Sequence, residues 1–280
     1  MESGGLIAAR AAAYVALLLV AGLPLQALSS GRVVSGRMRA VLALLALIAG
    51  AASVWWALES VAAMAGLPLA ELDQPTAEAV LAATPLGAVM EWRLTALACV
   101  IMAAIVPLKV LRLPMMALAG AVALCSMALT GHAGASEYAL HRWADGLHLL
   151  AAALWIGALA AFLSDAVRRR SDVAGLARFA RTGSVVVAVL VLTGVVNTLA
   201  IAGLPPVLDS RWFWLLGVKI ALFGLMLALA AHNRWRIVPA LERGDGGAEA
   251  RLRRSLSLEM AAGVGVVMVV AMLGVLDPAA

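Results

Sequence analysis

A chain of 280 residues that is 64% hydrophobic and only 13% charged, with mean hydropathy +1.00, cannot cover a soluble domain with polar surface. The fold class this implies is an all-α integral membrane protein. The net charge of +5 does not point to nucleic acid, because the arginines fall in short loops between apolar runs, without the basic and aromatic interleaving of a nucleic-acid surface. Cys99 and Cys125 both lie inside apolar runs, and nothing calls for a disulfide between them.

A hydropathy window of about 19 residues marks candidate membrane helices. It predicts eight, at 6–28, 38–65, 88–108, 114–131, 138–166, 182–203, 212–238 and 255–276, each holding the roughly 20 residues a crossing needs. The first is too long and uninterrupted for a cleaved signal peptide and is expected to span. The second carries Trp55, Trp56, Glu59 and Met64 near its far end, and the third carries Met90 and Cys99. The fourth holds Cys125 and Met127 and runs out at His132. The fifth holds His141, Asp145, His148 and Trp155; the sixth Thr193 and Asn197; the seventh Trp212, Trp214, Lys219 and His232. Small residues, as in LAAALWIGALAA of the fifth, let helices approach closely. No internal repeat or soluble domain stands out, so the expectation is a single bundle over 1–280.

Loop charge orients the bundle. Arg32, Arg37 and Arg39 follow the first span, and Lys109 and Arg112 the third. Arg168, Arg169 and Arg170 follow the fifth, and Arg243, Arg251, Arg253 and Arg254 the seventh. The other loops are nearly free of Lys and Arg, and 66–87 is acidic, with Glu71, Asp73 and Glu78. By the positive-inside rule both termini and the acidic loop face the periplasm.

His141, Asp145 and His148 are spaced i, i+4, i+7 and share one helix face. At 1.5 Å per residue His148 lies roughly 15 Å below the outer end of its helix, while His132 and His141 sit near the surface. Imidazoles and a carboxylate are costly in hydrocarbon and mark functional sites. The metal-ligand candidates are therefore His132, His141, His148 and Asp145. Asp145 either ligates directly or accepts a ring N–H and orients a ligating histidine. Glu59, Met64, Cys125, Met127, Trp155, Asn197 and Lys219 reach similar depths and are candidate lining or gating residues. Thioether, thiol and imidazole suit copper better than magnesium or calcium, and imidazole with carboxylate also suits zinc or divalent copper.

Blander roles compete at several positions. Most of the twelve methionines are packing, and the cysteines serve as small buried hydrophobes. Lys219 either gates or pairs with Glu59 or Asp145. Trp55, Trp56, Trp143, Trp212 and Trp214 are read as interface anchors, Trp155 as lining or packing, and His232 as a polar end-cap.

The segment from Arg178 to about Gly274 resembles the copper resistance protein D (CopD) family of bacterial inner-membrane proteins. Thr193, Gly194 and Asn197 form a Thr-Gly-x-x-Asn stretch, and LLGVKIALFGLMLALAAHNRWRIVPAL follows it. There Lys219, Asn233, Arg234 and Pro239 stand where the family has Leu-Leu-x-x-Lys…Leu-Asn-Arg…Pro, with His232 in place of a usual apolar residue. GHA and DGLHLLAAALWIGAL are similar to the family's fourth and fifth helices, with His132, Asp145, His148 and Trp155 at matching positions. The resemblance covers about 130–275; the first hundred residues share only their apolar spans. It implies a copper ion as the bound metal, movement of copper from periplasm towards cytoplasm, and a small periplasmic copper-binding partner of the CopC type. No such domain stands in this sequence, so that partner is expected to be a separate chain. Other readings are a haem-binding or redox membrane protein and a copper delivery or sensing protein without transport. No nucleotide-binding loop or phosphorylated-aspartate motif is present, so ATP-driven pumping is not expected, and the chain reads as a non-enzyme.

Overall fold

The computed structural model describes residues 4–107, 110–130, 139–168, 172–202, 207 and 209–278. Eight helices are long and apolar enough to cross a membrane. They are α1 (Gly4–Ser30), α2 (Gly36–Ala65), α4 (Leu86–Ile105), α5 (Arg112–Cys125) with a 3-10 turn Ser126–Leu129, α6 (Ala139–Val167), α7 (Val173–Ala202), α8 (Arg211–His232) and α10 (Ala248–Leu273). Past α8 the chain runs through one π-helical turn, Asn233–Ile237, into the short α9 (Val238–Glu242). Two features lie outside the sequence expectation. The acidic loop folds into a 3-10 turn, Leu69–Glu71, and a short helix, α3 (Gln74–Ala83). Asp73 caps α3, its Oδ1 accepting from Thr76 N–H at 2.9 Å, which satisfies one of the free N–H groups of the first turn. Secondly, α7 starts nine residues before the predicted 182, because polar residues at its start remain helical beyond the apolar window.

Helix α1 is central. It packs against α2, α5, α6 and α10, and Ala13, Leu17, Val20 and Ala21 along it are buried. Its closest neighbour is α6. A Cβ at Gly22 would run into the Ala153 carbonyl, and one at Gly157 into the Gly22 backbone. The helices meet backbone to backbone, a contact that small residues permit in hydrocarbon. Helix α7 packs on α6 and α8 on α10, and among the described residues α7 and α8 do not pack against each other.

At the arginine-rich end, Arg32 Nη2 reaches Asp165 Oδ2 at 2.7 Å and Asp172 Oδ2 at 3.0 Å. Asp172 Oδ1 accepts from Gly175 N–H at 2.7 Å, at the start of α7. Two tryptophans depart from expectation. Trp55, Trp143 and Trp214 are exposed, as interface anchors would be, but Trp56 and Trp212 are buried. Trp56 lies under the Arg93 guanidinium, 5.0 Å from ring centroid, and Trp212 packs edge-on against Phe213.

Replacing Gly157 with Ala forces a methyl into the Gly22 backbone, and overpacking of this kind costs about 1–3 kcal/mol. The thermal midpoint of purified protein should fall by several degrees, whereas Gly224→Ala, with open space at its Cβ, should leave it nearly unchanged. The Asp172 carboxyl is held below its usual value by the Gly175 N–H and then by Arg32. Its stabilisation is therefore complete above the unfolded-state pKa of about 3.9 and disappears as pH falls through the lower folded value. Thermal melts at pH values below about 3.9 should show a loss of stability that is smaller in Asp172→Asn.

Candidate functional site

The i, i+4, i+7 face of α6 is turned into the bundle, towards α1, α7 and α8. His141 is 3% exposed. Asp145 Oδ1 accepts from Asn197 Nδ2 on α7 at 3.1 Å. One turn towards the arginine-rich end, His148 Nδ1 lies 2.9 Å from Thr193 Oγ1. Thr193 donates its one hydroxyl proton to Val189 O at 2.6 Å, so Thr193 accepts from His148 Nδ1–H. The neutral ring then keeps its lone pair on Nε2, the state in which a histidine ligates a cation. The Thr193–Asn197 spacing of one turn thus matches the Asp145–His148 spacing across the helix pair.

His141, Asp145, His148 and Asn197 line a cavity of about 170 Å³ together with Arg10, Tyr14, Met127 and Lys219. Arg10 is held at its rim by Gly274 O, at 2.9 Å from Nη1, and by the Tyr14 ring. His141 Nδ1 and Asn197 Oδ1 are buried with no hydrogen-bond partner among the described residues. An imidazole nitrogen and an amide oxygen left open beside a carboxylate are a donor set fitted to a cation. Among the described residues no three His, Cys, Asp or Glu side chains close to metal-binding distance, so a cation there takes part of its coordination from neutral groups, water or side-chain rearrangement.

A second cavity, about 450 Å³, continues from the first, sharing His148 and Lys219. It is lined mainly by apolar residues, including Trp155, Ile220, Phe223 and Met226, and lies where α7 and α8 part. Beyond Trp155 a third cavity of about 340 Å³ holds Asn233, Arg234 and Glu259. Trp155 Nε1 donates to Glu259 Oε1 at 3.0 Å.

The site therefore gathers His141, Asp145, His148, Asn197, Lys219 and Met127, with Trp155 one cavity further on. His132 lies outside the described residues. Glu59 accepts from Trp55 Nε1 at 3.2 Å, packs against Gly5, and does not line these cavities. Met64 is 59% exposed. The Cys125 thiol reaches the Gly146 carbonyl at 3.8 Å, beside α6 rather than in the cavity. Lys219 shares the cavity with Asp145 without an ion pair between them, and Glu59 is not within its reach. Sequence reasoning passed over Arg10, Arg93 and Glu259. Arg93 is fully buried, its Nε 2.7 Å from Ser126 Oγ. Each is a charged residue within or beside a span, which is itself the signal.

Histidine-labelled protein offers a direct check on the ring assignment. Nitrogen NMR should show His148 as the Nδ1–H tautomer near neutral pH, and Thr193→Val, which removes the acceptor, should mix the tautomers.

What the fold and cavity define is a multi-pass membrane protein with buried imidazole and carboxylate groups. Comparison with known proteins narrows this. Residues 173–273 match the family model described as copper resistance protein D, and residues 1–142 match the copper resistance protein D-like N-terminal domain. The chain is 38% identical over 304 residues to Copper resistance protein D of Pseudomonas syringae pv. tomato, covering 99% of this chain and 98% of that one. It is 28% identical over 242 residues to Inner membrane protein YebZ of Escherichia coli (strain K12), covering 81% of this chain and 83% of that one. No solved structure matches it. The chain belongs to the copper resistance protein D family, and it is a multi-pass protein of the inner membrane. Family membership extends through the first hundred residues, where the sequence alone offered only apolar spans.

Proposed function

We propose that the chain moves copper across the inner membrane from periplasm towards cytoplasm, with both termini periplasmic. The observation that carries this reading is the convergence on one cavity of His148, Asp145 and the His141 Nδ1 and Asn197 Oδ1 atoms, which have no hydrogen-bond partner among the described residues. Copper is the substrate. His132 and His141 take it near the outer surface from a separate periplasmic copper-binding protein of the CopC type. It then passes to His148 Nε2, with Asp145 supplying negative charge and Thr193 holding the ring. Lys219 lines both cavities at this level. Its ammonium repels the cation and competes with it for Asp145, so it lowers residence at His148 and favours release. Arginine-rich loops at the end away from the termini support the orientation, and the family supports copper as the ion.

Purified protein should bind copper, and His148→Ala should abolish that binding; unchanged stoichiometry and affinity would contradict the proposal. Lys219→Met removes a like charge and should tighten binding about tenfold, equivalent to about 1.4 kcal/mol, while slowing uptake into proteoliposomes. A protein that binds copper with these dependences yet never takes it up would be a delivery or sensing protein, and a Soret absorption band would indicate haem.

A further inference from the structure

Glu259 has no part in the copper site, and sequence reasoning passed over it. It is 2% exposed, halfway along α10, and no cation pairs with it among the described residues. Two neutral groups hold it: Trp155 Nε1 donates to Oε1 at 3.0 Å, and Asn233 Nδ2 donates to Oε2 at 3.3 Å. A carboxylate in hydrocarbon with only neutral donors must find a positive charge or persist at high cost. Asn233 supplies the second observation. It is 7% exposed, and its Oδ1 is buried without a partner among the described residues while its Nδ2 serves Glu259. It also opens the π-helical turn Asn233–Ile237, a distortion that recurs at functional sites.

We infer that Glu259 and Asn233 form a proton-binding site in the half of the bundle away from the termini, and that this proton is exchanged for the cation held near His148. In the ionised state Asn233 Nδ2 donates to the carboxylate. On uptake of one proton, the amide turns end for end and the new Glu259 O–H donates to Asn233 Oδ1; release of the proton reverses both changes. One neutral side chain thus serves both charge states, and the open Oδ1 is the acceptor for the second.

Charged neighbours do not substitute for the proton. The cavity around Glu259 is lined from α6, α7, α8, the π-turn, α9 and α10, and its only charged groups among the described residues are Glu259 and Arg234. Arg234 is exposed and donates instead to Ala180 O and Ser184 Oγ, at 3.1 and 3.4 Å. It stands with exposed Trp235 where this cavity reaches the bundle surface, which gives protons access from the arginine-rich side. Trp155 separates the site from the cavity holding His148 and touches both. A cation leaving His148 and a proton on Glu259 therefore act across one indole. The exchange rests on the transport reading above; the proton site does not.

Infrared difference spectra of the full-length protein in lipid, recorded across neutral pH in H2O and D2O, test the site. A carboxylic-acid C=O band that titrates is expected in the wild type and in Asp145→Asn, shifted in Glu259→Asp and lost in Glu259→Gln. Absence of such a band, or its persistence in Glu259→Gln, would overturn the inference. Proteoliposomes loaded with a pH-sensitive dye test the exchange: copper uptake should move protons outward in the wild type, and Glu259→Gln should lose that proton flux. Copper uptake with an undiminished proton flux in Glu259→Gln would overturn it. If wild-type vesicles take up no copper, the transport reading falls, and the infrared band alone still decides the proton site.

Discussion

Where Gly22 meets Ala153 and Gly157, the backbones of α1 and α6 lie directly against each other, and the arrangement of everything polar in the bundle follows. That crossing fixes α6 in both depth and rotation. Its His141–Asp145–His148 face is thereby committed to the space between α1, α7 and α8. Arg10 and Tyr14 of α1 close the same space from the other side. In hydrocarbon no solvent completes an unfinished hydrogen bond, and the polar groups of the site are either bonded across a helix pair or face a cavity. Asn197 to Asp145 and Thr193 to His148 are the first kind. His141 Nδ1 and Asn197 Oδ1 are the second.

The three cavities form a series. The first, near the termini, gathers His141, Asp145, Asn197 and Arg10, the middle one is mainly apolar, and the third holds a carboxylate near the arginine-rich end. His148 and Lys219 join the first two, and Trp155 joins the second to the third. This order bears on the gap below His148 that the sequence leaves open. The third cavity holds Glu259 and Asn233, and among the described residues its lining carries no sulfur or imidazole. Hard oxygen donors suit a proton better than soft copper, which supports the proton inferred at Glu259 rather than a second copper site there.

Much of this was legible in one dimension. Hydropathy found all eight spans because membrane crossing is a requirement on length and polarity alone. The α6 face was legible because i, i+4 and i+7 coincide on any helix, and counting residues put Asn197 of the sixth span at a similar depth. Rotation of one helix about its axis relative to the others was not legible. Counting residues gives depth, and depth put Glu59, Met64 and Cys125 in the same layer as His148. Their helices point them elsewhere: towards Trp55, towards the surface and towards the Gly146 carbonyl. Trp56 and Trp212 were misassigned for the same reason, since a tryptophan at interface depth anchors only when its face points outward. Glu259 and Arg93 were passed over because each lies a turn or two inside a span and reads as its edge. Only the fold shows that both are buried.

The central claim is that copper is held by imidazole and carboxylate groups of α6. X-ray absorption at the copper edge, on purified protein loaded with one equivalent, addresses it most directly. The account predicts nitrogen and oxygen ligands with the outer-shell scattering of imidazole in the wild type, and no bound copper in His148→Ala. A first shell of sulfur alone, or a spectrum indifferent to His148, would contradict it.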